Sequence, residues 1–314
     1  MATPKTFSEQ IKSGPMVVAP GAYDCITARV IEQAGYPCVY MTGAGTSAAH
    51  GLPDYGLTTM SEMVANARRI TGCISVPLVS DSDTGYGNEL NAYRTVQEFE
   101  RAGVAAIHIE DQVFPKKCGH LDNKELVSIE DYLAKIRAAS AARKSKEFQI
   151  IARTDSRAVA GFEEAIRRAN GAMAAGADMV FLEAPQTLEE VAQVPNLVNG
   201  PCLLNVVLGG KTPAVKLSDA EKMGYRIAIL PGMLLSSIIG LCDQMLAEVK
   251  ETGLLASPFK GGSPAKTFAR FDAAEWDHRR TAFRPELGNG GAAMATSKSA
   301  AGKPKKPLKR EAAE

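Results

Sequence analysis

The stretch Val104-Ala105-Ala106-Ile107-His108-Ile109, continued by Glu110-Asp111-Gln112-Val113-Phe114-Pro115-Lys116-Lys117-Cys118-Gly119-His120, decides the fold of this chain. Its first part, with Ala105 to Ile109 as a strand, is a short and nearly continuous apolar run. Strands of that kind are buried on both faces, as in a parallel sheet covered by helices. Its second part packs acids, cations, a thiol and an imidazole into one loop directly after the strand, which is where rigid scaffolds carry function. A thiol beside so much positive charge is expected to lie near its thiolate and to exchange a proton near neutral pH.

Working outward, similar apolar runs recur at Met16 to Ala19, Cys38 to Met41, Val76 to Ser80, Phe148 to Ala152, Met179 to Leu182, Cys202 to Asn205 and Arg226 to Leu230. Helix-like stretches such as Asn91 to Ala102, Gly161 to Ala175 and Ser218 to Met223 lie between them. Glycine steps at Ala102-Gly103, Ala175-Gly176 and Met223-Gly224 suit helix C-termini. Alternating strand and helix units of this number predict an α/β fold, a (β/α)8 TIM barrel, rather than an open doubly wound sheet. No G-x-G-x-x-G turn follows the first strand, which weakens a dinucleotide-binding alternative.

Composition limits the function classes. The 314 residues carry 36 basic and 35 acidic side chains, so there is no global field to recruit nucleic acid or an anionic membrane, and neither is expected as a partner. Cys25, Cys38, Cys73, Cys118, Cys202 and Cys242 show no C-x-x-C spacing, which suggests neither a structural zinc site nor a disulfide framework, and fits a reducing compartment. The N-terminus lacks an apolar signal region and no run reaches the length of a membrane span, so a cytoplasmic protein is expected. The barrel with a C-terminal helical extension is expected over residues 1–285, and a disordered, basic, low-complexity tail over 286–314, where apolar groups are too few to offset ordering entropy.

The barrel reading places polar residues at the C-terminal ends of the strands, the active-site face of such folds. They are Tyr40 with Thr42-Gly43-Ala44, Asp81 to Gly87, the Glu110 loop, Arg153-Thr154-Asp155, Glu183-Ala184-Pro185 and Asn205. Asp81 and Asp83, two apart, form with Glu110 an all-oxygen set suited to Mg²⁺, or Mn²⁺, which keeps waters and takes substrate oxygens into its shell.

These residues resemble the isocitrate lyase and phosphoenolpyruvate mutase superfamily over roughly Val17 to Leu246. The motifs are Pro20-Gly21-Ala22-Tyr23-Asp24, Thr42-Gly43-Ala44-Gly45, Gly51-Leu52-Pro53-Asp54, Asp81 to Gly87, Glu110-Asp111-Gln112, Ala152-Arg153-Thr154-Asp155 and Asn205. Lys116-Lys117-Cys118-Gly119-His120 is similar to the K-[KR]-C-G-H loop of the lyase branch, close to 2,3-dimethylmalate lyase and methylisocitrate lyase. The resemblance implies a metal-dependent lyase that cleaves a 2-hydroxy dicarboxylate by a retro-aldol-type step. Cys118 would protonate the enolate-like product, and Tyr40 or Glu183 would be the base, with Arg153 or Lys116 as its cationic neighbour. The N–H groups of Gly43 and Ala44 with the Thr42 hydroxyl would hold the pyruvyl carboxylate, and Arg153 and Asn205 the second one. Gly119 and Asp54 would line the substrate site, His120 would orient the loop or bind substrate, and Asp54 and Asp111 would help position the ion. Two alternatives stay open within the superfamily: P–C chemistry of the phosphonomutase or carboxyphosphonoenolpyruvate mutase kind, and oxaloacetate hydrolysis or decarboxylation. A dicarboxylate-binding scaffold without turnover is the non-enzyme reading.

Methylisocitrate lyases carry Asn-x-Thr-Glu where this chain has Asn205-Val206-Val207-Leu208. The resemblance therefore points to a smaller substrate than a tricarboxylate. Phe268, Phe271, Trp276 and Phe283 make the segment before the tail apolar enough to pack, and by resemblance the last helix swaps between subunits of a homotetramer.

Overall fold

The fold is a computed structural model, described over residues 6–255 and 262–284. Eight strands form one closed sheet: β1 Val17–Ala22, β2 Val39–Met41, β3 Leu78–Asp81, β4 Ala106–Glu110, β5 Gln149–Thr154, β6 Met179–Leu182, β7 Cys202–Asn205 and β8 Ile227–Leu230. Every neighbouring pair is parallel, and β8 pairs back onto β1 with Val17 opposite Ile227. The expected (β/α)8 barrel is therefore present. Several strands run one or two residues further than the apolar pattern indicates. β3 takes in Asp81, β4 Glu110 and β5 Arg153 and Thr154, because the backbone ladder continues through polar residues: Asp81 lies opposite His108, and Glu110 opposite Arg153.

Side chains alternate across each strand, and the barrel sorts them into two layers. One set fills the interior, including Val17, Ala19, Cys38, Tyr40, Val79, Ala106, Ile151, Met179, Phe181, Leu203 and Ile227. Phe7 and Ile11 belong to the same cluster, so the short helix Phe7–Lys12, started by a Thr6–Glu9 capping box, packs against the interior set. The other set faces the helices, as Ile107, Ile109 and Ile150 do in packing with Phe99, Tyr132 and Ile136. Phe99, on the helix Glu89–Arg101, is fully buried, and its truncation to Ala is expected to cost about 3–5 kcal/mol. The helix ends follow the sequence signal: Gly103, Gly176 and Gly224 all have positive φ, at 83°, 108° and 107°.

The chain divides into two compact units, Met1–Leu255 and Ala256–Glu314. The first holds the barrel and the long helix Met233–Thr252. The second contains the helices Pro264–Ala269 and Ala273–Phe283, whose Phe268, Trp276 and Phe283 are exposed. The basic tail over 286–314 lies outside the described residues. Among the described residues no helix is long and apolar enough to cross a membrane.

Candidate active site

The site follows from the alternation of the barrel interior. Two residues beyond each apolar inward side chain, the same face continues with a polar one: Val79 to Asp81, Ala106 to His108 and Glu110, Ile151 to Arg153, Phe181 to Glu183, Leu203 to Asn205. Tyr40, His108 and Phe181 form the boundary. The Tyr40 hydroxyl lies 2.8 Å from His108 Nε2, and the His108 ring stands edge-on to Phe181 with centroids 5.4 Å apart. Above this layer the side chains are ionisable and buried.

Lys116 and Arg153 organise the carboxylates. Lys116 Nζ pairs with Asp54 Oδ1 and lies 2.9 Å from Asp83 Oδ1. Arg153 reaches Asp155 at 2.9 Å, Glu110 at 3.2 Å and Glu183 at 3.3 Å, with its guanidinium 5.0 Å above the Phe181 ring. Burial alone would raise Asp81, but His108, Lys116 and Arg153 hold it at about 2. Asp83 goes the other way, to about 6, because burial and the neighbouring Asp81 outweigh Lys116. Burial also pushes Glu110 well above the usual carboxylate range despite Arg153. Asp83 adopts φ 46°, an uncommon backbone conformation for a side-chain-bearing residue, and its carbonyl accepts the Glu110 N–H at 2.9 Å.

The thiol loop is anchored along its length. The Cys118 N–H donates to the Asp54 carbonyl at 3.1 Å, and buried Lys124 donates to the Gly119 carbonyl and, at 3.1 Å, to Asp155. Gly119 lies so close to the clamp that an added Cβ would meet Arg153 Nη2 at 2.5 Å and Glu183 at 2.6 Å. The expectation of a near-thiolate Cys118 is corrected. Burial and Asp54 raise its pKa, since Lys116 is spent on Asp54 and Asp83 and the Lys117 ammonium turns out to the Asn123 carbonyl. The group holds its proton, as an acid must.

Of the two expected bases, Tyr40 is driven well above the ordinary phenol value by burial and by Asp81. Glu183 is buried and collects Asn205 Nδ2 at 3.1 Å, Arg153, and His120 Nε2 at 3.4 Å. The carboxylate cradle is corrected in part. Gly43 N–H already donates to Asp81 Oδ2 at 3.2 Å, and Thr42 Oγ1 caps its own helix by accepting from Gly45, which leaves Ala44 with a first-turn N–H and no intrahelical acceptor. Asp111 does not join the site: it accepts from Thr154, the Asp155 N–H and Arg168, tying β4 to β5. Leu208 is fully exposed and Val207 half-buried.

Among the described residues no group of three or more His, Cys, Asp or Glu is arranged to hold a metal ion, so Asp81, Asp83 and Glu110 do not form the compact set read from the sequence. Lys116 and Arg153 stand among them. The donors nonetheless fit Mg²⁺, which takes one or two carboxylates and keeps its waters. Both Glu110 oxygens are buried without a hydrogen bond, and Asp83 Oδ1, although 2.9 Å from Lys116, has no aligned donor. Asp54, Asp81, Asp83 and Glu110 all lie close enough to act on Lys116.

Sequence reasoning missed His108 and Lys124. His108 had a signal: it is a polar residue inside an apolar strand, on the same face as Glu110. Lys124 had none, since only the loop's path brings it to Asp155.

A family profile described as phosphoenolpyruvate phosphomutase matches residues 7–250. The chain is 48% identical over 232 residues to a 2,3-dimethylmalate lyase of Eubacterium barkeri, covering 74% of this chain and 80% of that protein. It is 43% identical over 245 residues to a 2-methylisocitrate lyase of Aeropyrum pernix, covering 78% and 79%. Among solved structures, an oxaloacetate acetylhydrolase in complex with the inhibitor 3,3-difluorooxalacetate superposes with a TM-score of 0.84 at 35% identity, covering 88% of this chain and 96% of that one.

Proposed function

The chain belongs to the phosphoenolpyruvate phosphomutase family, and from its likeness to the two lyases we propose that it is a carbon–carbon lyase acting on a 2-hydroxy di- or tricarboxylate of the 2,3-dimethylmalate or methylisocitrate kind. Its products are a 2-oxo acid such as pyruvate and a short carboxylic acid. One observation carries the reading: a half-buried thiol, held protonated, on a loop seated against Arg153 and Glu183.

In this mechanism Glu183 takes the hydroxyl proton, because the Tyr40 phenol keeps its own. The C2–C3 bond breaks, its electron pair moves toward the leaving carboxylate, and Cys118 Sγ delivers a proton to that carbon. Arg153 and Asn205 hold Glu183 in place and face the departing carboxylate. Ala44 N–H offers a donor to the other carboxylate. Asp81, Asp83 and Glu110 would hold Mg²⁺, or Mn²⁺, which when bound supplies charge stabilisation to the oxygens of the oxo-acid half. The His108–Tyr40 contact pairs two buried polar side chains at the floor of the site.

The six cysteines are free, which supports a cytoplasmic setting. Exposed Ile239 and Leu246 on Met233–Thr252 support assembly, which we place at a homotetramer.

The test is a panel: protein with Mg²⁺ and 2,3-dimethylmalate, methylisocitrate, oxaloacetate or phosphonopyruvate, followed for 2-oxo acid, oxalate and phosphate. A 2-oxo acid from either hydroxy acid supports the lyase. Oxalate from oxaloacetate alone would move the assignment to the hydrolytic reading favoured by the likeness to the acetylhydrolase, and phosphate alone would move it to P–C chemistry.

A further inference from the structure

His120 is held from two sides by segments far apart in sequence. The Lys211 N–H donates to His120 Nδ1 at 3.0 Å, and His120 Nε2 lies 3.4 Å from Glu183 Oε1 without an aligned hydrogen bond. Only Gly210 makes room for this. A Cβ there would stand 2.8 Å from both Cε1 and Nδ1 of the ring and 3.1 Å from Val207 Cβ. The turn itself does not require glycine at 210, because the left-handed residue is Gly209, with φ 71°. Lys211 Nζ adds a second tie, 2.5 Å from Asp122 Oδ1, although Asp122 is mostly exposed and that pair is weak.

A backbone N–H can only donate, so the nitrogen that receives it carries no proton in the neutral ring, and the ring proton is placed on the other nitrogen. We propose that the turn Gly209–Lys211 after β7 is a positioning element for the thiol loop: the Lys211 N–H and the bare Gly210 fix His120 as its Nε2–H form facing Glu183, and so couple the β7 loop to the loop that carries Cys118. The Nε2–H of His120 then faces Glu183 at 3.4 Å beside Arg153 and Asn205, and the ring joins the loops after β4, β6 and β7 at a single point. The turn directly after the segment that departs from the pattern of methylisocitrate lyases thereby sets the seating of the acid, without touching it.

The structural half of the inference stands without the lyase reading, and only its kinetic half rests on that reading; the experiment separates them. The chain has four histidines, so ¹⁵N-labelled histidine spectra recorded across pH, with His120→Asn to assign the signal, report the tautomer directly. The expected result is a protonated Nε2 and a bare Nδ1 for the neutral His120 ring, retained in Lys211→Ala, which keeps the N–H, and lost in Gly210→Ala. A protonated Nδ1 in the wild-type protein overturns the proposal whether or not any substrate is turned over, and it does so even if Gly210→Ala fails to fold. On the best substrate of the panel, Gly210→Ala is expected to lower kcat about 10²-fold, the scale of an ångström of misplacement, with a much smaller change in KM. In a His120→Ala background the same substitution should cost almost nothing, because the ring it displaces is gone. Additive losses in this cycle would overturn the coupling.

Discussion

Lys116→Met tests the electrostatic account of the site, because the two side chains have similar volume and the change removes charge more than packing. Lys116 is buried, with 1% of its side chain exposed, and burial alone would lower its pKa; Asp83, Glu110, Asp81 and Asp54 reverse this and hold it well above the ordinary lysine value. Its stabilising contribution is therefore complete at neutral pH. Removing one partner of a buried ion pair costs about 3–5 kcal/mol, since the carboxylates are left without compensation. For a unit spanning Met1–Leu255, at roughly 2–4 °C per kcal/mol, the midpoint should fall by about 6–20 °C. Thermal and urea unfolding, both in EDTA, measure it. The pH dependence has a definite sign. Asp83 titrates at about 6 when folded against 3.8 for the free group, so the folded state binds more protons in that window and Asp83 costs stability as pH rises through it. Without Lys116 the window extends upward. The deficit of the variant should thus shrink between pH 8 and pH 5, and Asp83→Asn should restore part of the loss in the Lys116→Met background. A loss below about 1 kcal/mol, the scale of a surface pair, or a deficit that grows on acidification, would refute the reasoning.

Cys118→Ser is expected to reduce turnover by roughly 10²–10⁴, the loss of a general acid, and near-normal rates would remove Cys118 from the mechanism. Because burial raises the Cys118 pKa, iodoacetamide should modify it more slowly than free cysteine at pH 7 and faster as pH rises, read by mass spectrometry of the 116–124 peptide. Chelation should abolish turnover and Mg²⁺ restore it, with Asp83→Ala losing metal affinity and activity together; full activity in EDTA would reject the ion. Val207 and Leu208 offer a third carboxylate no polar partner, and with Leu208 exposed the loss is that of a solvated contact, about 1 kcal/mol or roughly fivefold, so kcat/KM for dimethylmalate should modestly exceed that for methylisocitrate, and Val207→Thr with Leu208→Glu should narrow the gap.

The fold was legible because buried parallel strands leave an unmistakable sequence record: apolar runs at Met179–Leu182 and Cys202–Asn205 match their strands residue for residue. Strand ends were not, since Glu110 and Arg153 are ladder partners whose polarity says nothing about their backbone. The sequence also gathered Cys118, Arg153, Glu183 and Asn205, residues the barrel does bring together. Which charge meets which was hidden. Of the two lysines written beside Cys118, Lys116 belongs electrically to Asp54 and Asp83 and Lys117 turns out to the Asn123 carbonyl, and one of the two glycine-turn donors expected to face substrate is satisfied by Asp81. Proximity along the chain misled about the thiol because a burial penalty depends on what covers a group, which no neighbour in sequence reports.

The layer of Tyr40, His108 and Phe181 is at once the last course of the apolar interior and the floor beneath the ionised groups. Selection cannot address those two duties separately. A cavity opened at Phe181 to admit a larger substrate removes the surface over which Arg153 lies, so the anchor of three carboxylates loosens as the pocket grows. Substrate range in this chain is therefore more readily altered from the rim, at half-buried Val207 and exposed Leu208, than from below, and variants with new specificities should accumulate at those two positions while the floor and Gly210 stay fixed.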